Sequence, residues 1–296
     1  MQRSSFRKLG ILCCACATAT LAAATASAKD TGTLSQYYVG VDTSPEVAFG
    51  EYIGLDNPNF NRLTFLFNHA NYDNVESSHY HSIGRYTYTG PAGSPTVVDT
   101  NSNNRLPETY TGDVLYLAPG SGAYAGKLVS GVDDGSAAFA EYGELEMRLT
   151  DSIPSTDGFG PLGETGTTNV GNAAYYLFNS SSQSYVDPVG GLDIELELVG
   201  LTSGLSIGDA AGNVLMDSVG DTADLFDSVG TFTPTFFTDA SATPGVYSAS
   251  FRLNDNSGTY GSSGTFHFDF TVAAVPEPAS LAAAGLSGLV LLRRRR

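Results

Sequence analysis

Four histidines are the residues of this chain best suited to chemistry, and three of them fall within residues 57–91. His79 and His81 form a His-x-His pair in Ser78-His79-Tyr80-His81-Ser82. Side chains on a strand alternate between faces, so the two imidazoles share one face about 7 Å apart while Tyr80 points the other way. Rings spaced this way can converge on one ion at about 2.0–2.1 Å. A hairpin that pairs residues 62–69 with 79–88 around a loop at 70–78 sets His69 opposite His79, with Cβ atoms about 5 Å apart. All three rings then line one patch. Asp73 and Glu76 of the loop are available as oxygen ligands, and water is the alternative. His69 also ends the apolar series Leu63, Phe65, Phe67, so a place on the rim of the core, capped by a backbone carbonyl, competes with the ligand reading.

The fourth histidine lies far along the chain. In Thr265-Phe266-His267-Phe268-Asp269-Phe270 the phenylalanines take one face and His267 and Asp269 the other, wetter one. If this strand lies beside the hairpin, His267 completes the ligand set, with Asp269 as a ligand or as the group orienting the ring. A surface histidine on an outward face is the alternative.

The elements that must position these groups read as strands. Residues 29–274 are rich in Gly, Ser, Thr and Tyr, contain no Trp and show no long stretch of helical period. Strands are expected at 37–41, 61–68, 79–89, 114–117, 127–130, 141–149, 173–178, 192–201, 246–253 and 265–272. The alternation is cleanest in Leu192-Asp193-Ile194-Glu195-Leu196-Glu197-Leu198. Turn-rich segments at 152–172, 208–228 and 254–264 show no packing role. Asp217, Asp221, Asp224 and Asp227, and the run Asn254-Asp255-Asn256, lack the spacing of a calcium loop and read as solvating acids. The predicted architecture is all-β: an antiparallel β-sandwich-like domain, or two packed sandwiches, with a signal helix before it and a short hydrophobic helix after it.

Both ends carry address-type patterns. Residues 1–28 combine Arg3, Arg7 and Lys8, an apolar core over 9–24 and the small-residue site Ala26-Ser27-Ala28, as a secretory signal peptide does. Cys13, Cys14 and Cys16, the three cysteines of the chain, fall inside it, so any metal site in 29–274 must use histidine and carboxylate. At the other end, Pro276-Glu277-Pro278 precedes an apolar run at 279–292 and four arginines, Arg293 to Arg296. As a helix that run spans about 21 Å, short of the roughly 30 Å hydrocarbon core of a membrane.

The chain carries 14 Lys+Arg against 31 Asp+Glu, a net charge of −17. Without its two ends it keeps 7 basic and 30 acidic residues, about −23. Such a surface repels nucleic acid and anionic membranes and attracts cations. Residues 29–274 contain no H-E-x-x-H and no thiol, so a non-enzymatic role is expected.

The runs at 57–69 and 79–91, with Ala123 to Gly131, Glu141 to Leu149, Phe232 to Ala240 and Pro244 to Leu253, resemble a family of secreted PEP-CTERM proteins whose genes are under the zinc uptake repressor. The tail, residues 275–296, resembles the PEP-CTERM sorting signal itself. These resemblances imply expression under zinc starvation, zinc as the bound ion, an exosortase as the partner of the tail, and transient residence in the inner membrane before release to the cell surface. Two functional readings stand. One is an exported, surface-sorted protein that captures or buffers zinc through His69, His79, His81 and His267. The other is a structural or adhesive component of the extracellular matrix in which the histidines are incidental.

Overall fold

The computed structural model describes residues 35–71, 73–150, 175–177, 192–225 and 231–274. The signal segment 1–28 and the tail 275–296 lie outside the described residues. In chain order the elements are β1 Tyr37–Asp42, β2 Arg62–His69, β3 His79–Ser82, β4 Thr87–Thr89, β5 Thr96–Val98, β6 Arg105–Leu106, β7 Ala118–Pro119 and β8 Lys127–Val129. A short helix, α1 Ala137–Tyr142, precedes β9 Met147–Leu149. There follow β10 Ile194–Leu201, β11 Ser206–Gly208, β12 Val214–Met216, β13 Thr222–Leu225, β14 Thr231–Phe232, β15 Thr235–Asp239, β16 Gly245–Asp255 and β17 Phe266–Val272.

Among the described residues three five-stranded sheets result. The first runs β14-β9-β1-β2-β3, the second β13-β10-β16-β17-β6 and the third β12-β11-β15-β8-β7; β4 and β5 form a separate ribbon. Pairing is antiparallel except between β1 and β9 and between β17 and β6. The inner face of the second sheet meets both of the others, which makes the all-β sandwich-like fold expected from the alternation. Phe65 of β2 stacks on Phe266 of β17 with centroids 4.3 Å apart, and Tyr37 of β1 meets Phe268 edge-on at 5.6 Å. On the other side Phe236 of β15 lies 4.7 Å from Phe270 and 5.4 Å from Phe268. One continuous core follows, because the apolar residues of β10, β16 and β17 alternate inward while their polar neighbours face out.

Several expected elements differ. The strand predicted over 79–89 ends at Ser82. Ile83 and Gly84 both donate to the Phe65 carbonyl, and a Cβ on Gly84 would come within 2.9 Å of the Phe65 amide nitrogen, so the chain presses onto β2 and turns away. Arg85 then pairs with the buried Asp42 at 3.1 Å, and 87–89 joins 96–98 instead. Of the strand predicted over 141–149, Glu141 and Tyr142 close a helix that begins at Ala137. Ser136 caps α1 by accepting from the Phe139 amide at 3.0 Å, and only 147–149 is extended. Residues 175–177 are helical, not extended.

The segment expected at 208–228 to have no packing role contributes, over its described residues 208–225, to β11, β12 and β13, with Met216 and Leu225 in the core. Its acids tie turns: Asp221 accepts from the amides of Asp217 and Ser218, both at 2.9 Å. Asp255 likewise accepts from Ser257, Thr259 and Tyr260. Asp227 lies outside the described residues.

Because the Phe65–Phe266 stack joins the first and second sheets, Phe266→Ala is expected to cost about 3–5 kcal/mol of unfolding free energy. Urea denaturation reads this, and a loss below about 1 kcal/mol would mean that the two sheets are held elsewhere.

Candidate functional site

The β2–β3 hairpin has the register inferred from parity: His69 stands opposite His79 and Phe67 opposite His81. His69 continues the inward column of Leu63, Phe65 and Phe67, and its ring meets Phe67 edge-on at 4.4 Å. Tyr80 points to the other face and packs against Tyr38 at 5.8 Å. The three imidazole centroids lie 5.3 Å (His69–His79), 4.0 Å (His69–His81) and 4.7 Å (His79–His81) apart. The cluster therefore sits where the core opens at the end of β2, next to a cleft of about 640 Å³ lined in part by Gln36, Asp73, Glu141 and Glu144.

The carboxylates that meet the imidazoles are not those of the loop. Glu76 is exposed, and Asp73 borders the cleft without joining the converging donor atoms. The charge comes from Glu108, just past β6, and from Glu141 of α1. Glu108 Oε1 lies 2.5 Å from His81 Nδ1 and Oε2 lies 3.3 Å from His69 Nε2, while Glu141 Oε1 is 3.4 Å from His69 Nδ1. The donor atoms of His69, His81 and Glu108 fall within 4.8 Å of one another, as a metal-binding set would. Glu108 is only 4 % exposed. Tyr110 donates to its Oε2 at 2.8 Å and Tyr142 at 3.3 Å.

Burial by itself pushes the Glu108 carboxyl up, but contacts with His69 and His81 and the Tyr110 hydroxyl outweigh it and hold the group well below the usual carboxylate range. Both phenols move the opposite way. Burial, with Glu108 nearby, pushes Tyr110 well up and Tyr142 to about 12, so at neutral pH each is a protonated donor. Glu108 is thus an ionised carboxylate inside the protein.

That charge fixes the tautomers. An ionised carboxylate only accepts, so His81 Nδ1 carries the hydrogen it shares with Glu108. A backbone carbonyl also only accepts, so His79 Nδ1 carries the hydrogen directed at the Ser77 oxygen, 2.7 Å away. The loop holds that carbonyl in place through its own bonds: the Asn71 amide donates to Ser78 Oγ at 3.0 Å, and Asn71 Oδ1 accepts from Asn74 at 2.9 Å. In the neutral rings both remaining Nε2 atoms carry lone pairs, yet they face each other at 2.8 Å. Two opposed lone pairs at that distance call for a cation between them, either a shared proton or a metal ion. Zinc bonds of 2.0–2.1 Å in tetrahedral geometry separate two donors by about 3.3 Å, so side-chain rotation of about half an ångström would accommodate the metal. His69 Nε2 is buried and lies 3.3 Å from Glu108 Oε2 as an ion-pair contact outside hydrogen-bond geometry, so it is the third imidazole nitrogen at the site.

His267 does not join this group. Phe266, Phe268 and Phe270 fill the interior from the same strand, so His267 faces outward on the second sheet, while the cluster belongs to the first. There His267 Nδ1 lies 2.7 Å from Ser250 Oγ, and Asp269 is paired with Arg105. Burial, then Arg105, pushes His267 below its ordinary value, which keeps it neutral.

Residues 274–296 match the PEP-CTERM protein-sorting motif. The motif marks an exported protein recognised by an exosortase and sorted to the cell surface. No curated protein and no solved structure matches the chain. Among the described residues no helix is long and apolar enough to cross a membrane.

The Glu108 carboxyl lies lower in the folded chain than its unfolded value of about 4.3. Its contribution to stability is therefore whole above that pH and is lost as the pH falls toward the folded value. Thermal melts between pH 6 and pH 3 should show wild type losing more stability than Glu108→Gln. Parallel curves would mean that the carboxylate is not held ionised.

Proposed function

We propose that this exported, surface-sorted protein binds a transition-metal ion at the His79–His81 pair, that the ion is zinc, and that the protein captures or buffers zinc without catalysing a reaction. The observation that carries the reading is the opposition of two Nε2 lone pairs whose Nδ1 partners are both acceptors. A carboxylate or carbonyl on the far nitrogen of a ligating histidine is the usual support of a metal-bound imidazole, since it fixes the tautomer and makes the ligand more basic. In this reading His79 and His81 bind through Nε2, His69 adds a third nitrogen, and Glu108 supplies the charge behind His81.

Neutral imidazoles with a carboxylate suit zinc; no cysteine thiolate lies between residues 29 and 274, and the thioethers of Met147 and Met216 are buried in the core, so no soft ligand at the cluster favours copper(I) or iron–sulfur chemistry. An acidic chain raises the local concentration of any cation. The resemblance to proteins under the zinc uptake repressor agrees with the same metal and with use under zinc limitation. The tail, residues 275–296, would hold the chain in the inner membrane until the exosortase acts.

Zinc titration of the purified protein by calorimetry tests this. Wild type is expected to bind one zinc below micromolar dissociation constant, the double substitution His79→Ala with His81→Ala to lose that binding, and Glu108→Gln to weaken it about 10–100-fold. Equal, weak binding by wild type and the double variant would sink the proposal.

A further inference from the structure

A second pocket, on the far side of Ser82 from the histidines, has a different chemistry. It encloses about 270 Å³ between the loop at 43–61, the β4–β5 ribbon and residues 101–104. Its lining, among the described residues, includes five asparagines, three tyrosines, Phe49 and Arg85, and no carboxylate, in a chain with 31 acidic residues. Such a composition is far from the average surface of this protein. An asparagine amide offers donors and an acceptor in one plane, and aromatic faces offer apolar contact.

The walls are held in place. Asn57 Oδ1 accepts from the Asn59 amide at 3.0 Å, while Asn59 bonds both ways to the Tyr86 backbone, at 2.7 Å and 2.9 Å. Tyr52 and Tyr88 lie 5.3 Å apart, and each hydroxyl is engaged by a backbone carbonyl: Tyr52 donates to Gly90 and Tyr88 to Asp56. Their rings are therefore fixed by these bonds and by their contact with each other, and both stay partly exposed to the pocket. Asn104, 1 % exposed, donates from its amide to the carbonyls of Arg85 and Thr265, while its Oδ1 is buried with no hydrogen-bond partner. At the rim, Phe49 is 78 % exposed, which nothing in the packing of the domain requires.

We infer that this pocket binds a neutral sugar unit of a polysaccharide. A pyranose presents hydroxyls that donate and accept on its edge and a C–H face above and below; the solvent-facing side chains of Asn101 and Asn103 suit the edge, and the partly exposed tyrosine rings suit the face. The absence of acids from the lining and the single arginine exclude a cation as ligand, and the acidity of the rest of the chain disfavours a phosphate-bearing one. The volume is slightly under the range of about 300–1,000 Å³ typical of drug-sized ligands, which fits one ring of a chain whose remainder stays in solvent. A protein exported and sorted to the cell surface meets such polymers there. Metal binding has no part in this site.

Affinity electrophoresis in gels containing dextran, mannan or galactomannan, with EDTA present to exclude metal effects, tests the inference on the full exported chain. Wild type should be retarded by at least one of the three. The double substitution Phe49→Ala with Asn103→Ala removes two exposed rim side chains, so it should keep the wild-type melting temperature and bind at least fivefold more weakly. No retardation in any of the three gels, retardation by the polyanion alginate alone, or equal retardation of wild type and variant would overturn it.

Discussion

Face-to-face packing of β2 against β17 is the constraint from which the rest follows. Phe65 and Phe266 stack across the interior, and since side chains alternate along a strand, that single contact assigns every other residue of both strands to inside or outside. His69 follows Leu63, Phe65 and Phe67 at two-residue steps and so reaches the inner rim. His267 lies one residue from Phe266 and from Phe268 and so must face out. The same packing rule that builds the core thus gathers one histidine into the cluster and sends another to the opposite face.

At the rim the governing term becomes electrostatic. A carboxylate taken out of water costs several kcal/mol unless charged or strongly dipolar partners surround it. Glu108 is surrounded in that way by His81, His69, Tyr110 and Tyr142. Those partners are in turn restrained: the phenols stay protonated, His81 holds its hydrogen on Nδ1, and its Nε2 is left facing that of His79. A buried negative charge is in this way converted, two atoms further on, into a point that demands a positive one. The bond network is polarised in one direction, and low local dielectric strengthens its bonds at the buried Glu108, while the His79 end is exposed to solvent.

The two candidate sites divide the exposed chemistry of the protein. The histidine cluster gathers carboxylates, and the pocket beyond Ser82 has none among its described lining residues. Gly84 separates them physically. Its close approach to Phe65 ends β3 and turns the chain, so one side of the turn carries His79 and His81 and the other carries Arg85, Tyr86 and Tyr88. Had the strand run on to residue 89, as the alternation suggests, the ribbon that walls the second pocket would not have formed.

Local periodicity was enough to establish the all-β class, the inward phenylalanines of β17, the register that sets His69 against His79, and the sorting motif at the end of the chain. Each of these depends on near neighbours or on a two-residue repeat. The helical turn at 137–142 was also written locally, in Ser136 and Gly143 at its two ends, although the alternation around it reads as strand. Only the tertiary structure could decide that Glu108 and Glu141 are the acids that meet the imidazoles, in place of Asp73 and Glu76, and that His267 is elsewhere. Glu108 has no motif around it. It reaches His81 because β6 joins the edge of the second sheet beside β17 while β3 edges the first, and which acid is buried at such a junction depends on how sheets pack, a relation that no spacing along the chain records.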